Sequence, residues 1–526
     1  MNERRKGVVL FCCREPNDDQ KMRQTFLLTT DKTKNYLLTN LFTDSPTRTH
    51  MNSHAAKTRR AKAASVFTVR SNRSSAIVVL YDFSYSNMSH LLPHPIMEHA
   101  SNGDLERVQN CVNRYRVEVD GQYGRAALYF ASKGHLRVVR WLVEQGTDVN
   151  GINQGWLVPD GLTPLHAASY FGQHAIVQYL VEHGANIDAL NTDGASPIFL
   201  ACQNHHFPVV QYLVEHGANT NTMLLNRGGT PLLMAAEDGI LPIVKCLVEN
   251  GANVNTPNDD QVTPLLLAVG HDHLSVAQCL IEKGANVNVR NSMEHTPLHL
   301  ATGKGHFSTA RYLVEHAGAD VNACDQNGAM PLHYAVQFAV RYAEEFGTDS
   351  DSLCPLVKCL VEHGANVNAR EQQGFASLHA ASALGHLSSV ECLVQHGAHV
   401  NITDDANCTP LHRAILNAHL SVVQYLLRSG ANVNAPDRDR LTPLHWASSE
   451  GLISIVECLV RNGADINLES ERGLTPLDVA MDCGNEEVVE YLESMAHIHQ
   501  CHSFVRYLLQ RGFWNSQQKG QKRGLH

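Results

Sequence analysis

No stretch of this 526-residue chain reaches the roughly 18 consecutive apolar residues that a membrane-crossing helix needs. The one apolar run near the start, "GVVLFCC", is short, is followed by Arg14 and has no cleavage site, so a secretory signal is not expected. Fourteen cysteines are present, yet none has Cys-x-x-Cys spacing. Without a secretory route these read as free thiols of a reducing compartment, the cytoplasm first. The phosphate-gripping G-x-x-x-x-G-K-[ST], the nucleophile elbow G-x-S-x-G and the zinc signature H-E-x-x-H are all missing. No catalysis, no cofactor and no metal are therefore expected.

Acid is missing from one region. Between Ser45 and Tyr81 there is no Asp or Glu, while Arg48, Lys57, Arg59, Arg60, Lys62, Arg70 and Arg73 are present. "KTRRAK" in this region has the composition of a nuclear-entry signal, and the stretch from Met51 that of a transit peptide. Disorder of residues 1–96 is the reading adopted here. By sign, residues 1–96 carry 15 Lys+Arg against 7 Asp+Glu, and residues 97–496 carry 22 against 45, a net of −23. An acidic body argues against a grip on nucleic-acid phosphates and for a protein partner with a basic surface. Binding of nucleic acid through the basic amino-terminal region is the competing possibility, and it predicts salt-sensitive binding that disappears without residues 1–96.

What the chain has in excess is repetition. "VQYLVEHGAN" occurs at Val177–Asn186 and again, identical, at Val210–Asn219. Aligned on "TPLH", eleven units start at Ala126, Thr163, Ser196, Thr230, Thr263, Thr296, Met330, Ala376, Thr409, Thr442 and Thr475, mostly 33 or 34 residues apart. Each letter has a physical reading. Thr caps a helix, Pro suits its first turn, and the small residues after them let helices approach closely. A Gly is expected to end the short helix in the left-handed conformation, at Gly134, Gly172, Gly239, Gly305, Gly385, Gly451 and Gly484. A second helix follows, with an apolar stripe such as Val209, Val210, Leu213 and Val214, and then a turn or hairpin. One unit cannot bury its own stripe, so units must stack.

These residues resemble the ankyrin repeat family, most fully in "DGLTPLHAASYFGQHAIVQYLVEHGANID". The resemblance implies an all-α solenoid of helix-turn-helix units with hairpin connections, and a function in binding proteins through hairpin tips and the concave face of the first helices. The expected organisation is a disordered basic region at 1–96 and capping helices at 97–122. An eleven-unit array at 123–496 and a basic tail with one helix at 497–526 complete it. Insertions fall at 151–161 and 338–353. A monomeric scaffold or adaptor is the functional expectation. A regulatory subunit or substrate receptor that brings a target to an enzyme is the first alternative, and metal binding by the tail "HIHQCH" (His497–His502) the second.

Site candidates follow. His166, His299, His333, His379, His412 and His445 fill the TPLH slot, where the family implies imidazole bonds between neighbouring hairpins. Cys246, Cys279, Cys359, Cys392 and Cys458 exchange with Tyr in one helical slot, which reads as packing. Trp156 and Leu157 stand in the first insertion, either as a partner anchor or folded back on a neighbouring unit. Asp259, Asp260, Asp404, Asp405, Asp437 and Asp439 mark acidic tips, which steer a basic partner or simply favour turns. The family pattern places the concave face at the variable pairs Tyr170–Phe171, Glu237–Asp238 and Ser449–Glu450. Asn255, Asn288, Asn368 and Asn434 resemble sites of asparaginyl hydroxylation. Ser350 and Ser352, among acids in the second insertion, are candidates for phosphorylation.

Overall fold

The computed structural model describes residues 94–152, 161–225, 228–346 and 354–496, together with five short strands before Pro93. Backbone contacts divide the chain into two compact parts, Met1–Pro93 and His94–His526. In the first, strands Phe11–Cys12, Thr25–Thr29, Asn35–Thr39, Val69–Ser71 and Ser74–Ala76 pair antiparallel in chain order. The remainder of residues 1–93, and with it the expectation of disorder there, lies outside the described residues.

The second part opens with the helix pair Pro95–Ser101 and Leu105–Tyr115. Helix pairs then succeed one another to a last helix at 486–496. Unit 2 shows why. The Thr163 hydroxyl accepts a bond from His166 N, Pro164 fills the first turn, and the helix Pro164–Tyr170 buries Leu165, His166, Ala167 and Ala168. The second helix, His174–Glu182, buries Ile176, Val177 and Leu180 on one stripe. The first helix of each unit packs on the first helices of the units before and after it, as Pro164–Tyr170 does on Pro197–Gln203.

Two glycines of this unit act differently. Gly184, after the second helix, has φ +85° and open space where a Cβ would stand, so only its backbone conformation asks for glycine. Gly172, after the first, has φ +69°, and a Cβ there would lie 2.4 Å from Nδ1 of His206 in the next unit. That ring position is used repeatedly. His135, His206, His273, His306 and His419 each place Nε2 on the carbonyl of Ser101, Tyr170, Glu237, Gly270 and Ala383 respectively.

Of the seven glycines expected to end first helices, Gly172, Gly239, Gly305, Gly385, Gly451 and Gly484 have positive φ, and the expectation for Gly134 needs correction. Gly134 does not adopt a positive φ, since its helix already ends at Ser132. In units 3, 5 and 9 the left-handed position is held by His205, Asp272 and Ala418, with φ of 62°, 62° and 58°. The second insertion extends the first helix of unit 7 to Pro331–Phe346, 16 residues where the first helix of unit 2 has 7. Ser350 and Ser352 lie outside the described residues, as do Trp156 and Leu157 and the whole tail 497–526 with its His/Cys cluster and expected helix.

Candidate protein-interaction surface

Most polar side chains of the repeat are consumed by stacking, and what is left over defines the surface. In the TPLH slot, Nδ1 of His166 accepts from Thr163 N at 3.1 Å, so the proton sits on Nε2 and is donated to Ala195 O of the next unit at 3.1 Å. His299, His333, His379 and His445 repeat this bond to Ala329, Ala369, Cys408 and Leu474. His412 keeps the bond from Thr409 N, but its Nε2 finds no acceptor. Burial disfavours the imidazolium throughout: His166, His299 and His412 are pushed down to about 4, and His333, His379 and His445 are lowered for the same reason.

A second ladder runs along the ends of the second helices. Oδ1 of Asn255 accepts from Asn286 N (2.8 Å), and its Nδ2 donates to Gly284 O (3.1 Å). Asn368 and Asn434 make the same two bonds to the units after them, and Asn288 accepts from Asp320 N. The four asparagines singled out for modification are therefore rungs between units. The bond that Asn366 N donates to Asn322 Oδ1 spans the insertion and keeps the ladder unbroken. His183, His216, His363 and His396 each place Nδ1 on the carbonyl four residues back, which also accepts the histidine's own backbone N–H at the helix end.

The tips hold the main correction. Asp404 and Asp437 are not surface carboxylates: they are 2% and 8% exposed. Oδ1 of Asp404 accepts from Ala406 N and Cys408 N, and that of Asp437 from Asp439 N and Leu441 N, which closes each turn. The second oxygen then needs a donor, supplied nine residues on by the first helix of the same unit. Arg413 Nε and Nη2 donate to Asp404, and Trp446 Nε1 donates to Asp437 at 2.9 Å. In unit 7, Tyr334 donates to Asp325 at 2.7 Å. Burial works against ionisation of Asp325 and Asp404, but these donors and the turn N–H groups hold both carboxyls below the usual range.

Where the turn acceptor is Asn191, Asn258 or Asn291, the residue nine on is Leu200, Leu267 or Leu300. An amide offers one acceptor oxygen and a carboxylate two, so the acid appears where a donor can reach the second. This covariation within the chain was a legible signal that reading each tip by itself missed.

Asp259, Asp260, Asp405 and Asp439 are exposed at the tips, and Asp405 faces Arg370 of the neighbouring tip at 3.7 Å. On the first-helix ends, Tyr170 and Phe171 are 42% and 41% exposed and pack edge to face, with centroids 5.0 Å apart. Lys133 places its ammonium 5.5 Å from the Phe171 ring and 4.9 Å from that of Phe130, and burial lowers it to about 8. Asp238 is exposed and pairs with His205 at 2.9 Å. Ser449 Oγ turns back to Trp446 O, leaving Glu450 exposed. Among the described residues Cys111, Cys202, Cys246, Cys279, Cys359 and Cys458 are free thiols, no three His, Cys, Asp or Glu converge as metal ligands, and no helix is long and apolar enough to cross a membrane.

The fold is thus a solenoid of stacked helix pairs, with some outward side chains linking neighbouring units and others left free at the surface. Comparison with known proteins names the class. A family profile described as ankyrin repeats (3 copies) matches residues 150–224, 219–291, 290–344, 348–437 and 435–502, and a single ankyrin repeat matches 123–154. The chain belongs to the ankyrin repeat family, whose arrays mediate protein–protein interaction and are generally non-catalytic. It is similar to protein phosphatase 1 regulatory subunit 27 of Mus musculus, 37% identical over 99 residues, and to that of Homo sapiens, 36% identical over 99 residues. Each match takes in 18% of this chain and 60% of the relative, so the chain spans about three fifths of the length of these curated relatives.

Proposed function

We propose that this array is a non-catalytic scaffold or adaptor that holds a protein partner across its turn tips and concave helix ends. The observation that carries this reading is the exposed Tyr170–Phe171 pair at the end of a first helix, two aromatic rings left at the surface while Leu165, Ile176, Val177 and Leu180 of the same unit are buried. Aromatic side chains in such positions supply most of the binding energy at interfaces. The exposed carboxylates of Asp259, Asp260, Asp405 and Asp439, on a body of net charge −23, favour a partner with a basic face. Glu237, Asp238, Ser449 and Glu450 extend the concave contact. The test is affinity capture with the full chain beside the full chain carrying Tyr170→Ser and Phe171→Ser. A captured protein that is lost from the variant, with the thermal melt unchanged, supports the reading. An identical set of captured proteins refutes it for this face.

The similarity to phosphatase regulatory subunits favours a second, more specific reading, in which the array brings a phosphatase catalytic subunit to a target. Purified protein phosphatase 1 catalytic subunit, titrated against the full chain, decides it. Saturable binding supports the reading, and none at micromolar concentration retires it.

A further inference from the structure

The turn of unit 4 departs from the pattern of most others, and unlike that of unit 8, where Glu371 N donates to Phe375 O across a turn of ordinary length, it does so with an apolar residue. In units 3, 5, 6, 7, 9, 10 and 11 the acceptor that closes the turn is Asn191, Asn258, Asn291, Asp325, Asp404, Asp437 or Ser470. In unit 4 the equivalent backbone bond, from the N–H of the turn's first residue back across it, runs from Leu224 to Gly229 O. A leucine therefore stands where the polar acceptor belongs, the turn is one residue longer, and the tip slot that Asp259 and Asp405 fill in units 5 and 9 holds Leu225, 73% exposed. Leu190, 53% exposed, and Met223, 45% exposed, flank it. The neighbouring tips are in contact: Leu225 N donates to Asp193 O at 2.9 Å, and the Cβ that Gly194 lacks would fall 2.9 Å from Leu225 Cγ. On the far side Gly228 lies against Asp259. Apolar side chains thus run across adjacent tips between the exposed Asp193 and the exposed Asp259–Asp260.

The Leu225 side chain nevertheless stays largely in solvent, so burial does not account for an apolar residue at this tip. A sequence that abandons its local rule without structural return is expected to do so at a functional site, and contiguous exposed apolar side chains with a polar rim mark an interaction surface. We infer that the Leu190–Met223–Leu225 tips form a docking site for a protein segment that presents a bulky apolar side chain next to Lys or Arg. The acidic rim selects the basic neighbour and Leu225 takes the apolar one. This deepens the scaffold reading and rests on it.

The test is a random 12-residue peptide display library panned on the full chain and, in parallel, on the full chain with Leu225→Asn, an exposed substitution that leaves the stacked helices untouched. Peptides enriched on the native chain are expected to share Lys or Arg beside a bulky apolar residue and to bind the variant about tenfold more weakly by fluorescence anisotropy. Asp259→Asn with Asp260→Asn should weaken them less and flatten the dependence on salt. Enriched peptides without basic residues, or peptides that bind Leu225→Asn equally well, overturn the proposal. So does Leu225-dependent self-association of the full chain, which would make a second copy the occupant. A partner lost with Tyr170→Ser and Phe171→Ser but kept with Leu225→Asn leaves the scaffold reading standing and removes this one.

Discussion

Units 3 to 5 and units 6 to 10 stack in the same way with different chemistry in the same slot. The former place Phe199, Leu233 and Leu266 there, and the latter His299, His333, His379, His412 and His445. All eight are buried. The fold therefore asks for a filled volume at this position, and apolar burial alone satisfies it. A histidine adds direction, because in His299, His333, His379 and His445 Nε2–H meets one particular carbonyl of the next unit, and it adds a liability, because the ring works only while neutral. The turns divide in a similar manner, with Asn opposite Leu in units 3, 5 and 6 and acid opposite a donor in units 7, 9 and 10.

The largest consequence is acid sensitivity confined to one chemistry. His166, His299 and His412 lie near 4 in the folded chain against an ordinary 6.5. Between these values the unfolded chain takes up the proton first. The stability contribution is thus complete above about pH 6.5 and is lost progressively as pH falls toward about 4, by at most ~3 kcal/mol per site. Hydrogen-exchange protection factors of the full chain, measured at pH 7 and pH 5, should fall in unit 2 and units 6–10 and hold in units 3–5. Uniform loss along the array would show that its cooperativity overrides local chemistry.

Next in size is the buried ion pair of unit 9. Arg413→Leu leaves the inner oxygen of Asp404 without its donor, and stranding one partner of such a pair costs about 3 kcal/mol. Adding Asp404→Asn reproduces the pairing of Asn258 with Leu267 and should recover most of the loss. About 0.5–1 kcal/mol should stay missing, from the guanidinium that lies 4.6 Å from the Phe375 ring. Urea unfolding of the single and double variants checks this. A double variant as unstable as the single one would show that unit 9 depends on the charge pair itself and not on satisfied acceptors.

The array was legible because each residue of the unit reports a local demand: a cap, a first-turn Pro, a stripe at helical spacing. Recurrence averaged out the exceptions. The surface was less so. Asp404 and Asp405 are adjacent and chemically identical, yet one closes a turn inside the unit and the other faces solvent. Nothing in either residue alone separates them, and only the residue nine positions on does. Leu225 was missed for a related reason, since an apolar residue in a turn carries meaning only once the hydrogen bonds show which slot it occupies. Gly134 shows the opposite failure, a pattern residue whose backbone does not need to be glycine.

Glycine and alanine in one slot give the finest contrast. Gly385 has φ +71°, and a Cβ there would lie 2.4 Å from Nδ1 of His419, whose Nε2 bonds to Ala383 O. Gly385→Ala should therefore cost about 2 kcal/mol or more, because left-handed strain is joined by a clash that displaces the ring and breaks its bond. One unit later Ala418 already holds that conformation, with φ 58°, and the following unit offers Leu452 in place of the histidine. Ala418→Gly removes the strain, worth ~1–2 kcal/mol, and loosens the unfolded chain by about 0.4–1 kcal/mol, so a net gain of about 0.5 kcal/mol is expected. Thermal unfolding of the two variants should move in opposite directions. A loss at both positions would mean that the Ala418 methyl contributes packing against the next unit, and that the slot is set by its neighbour more than by its own backbone.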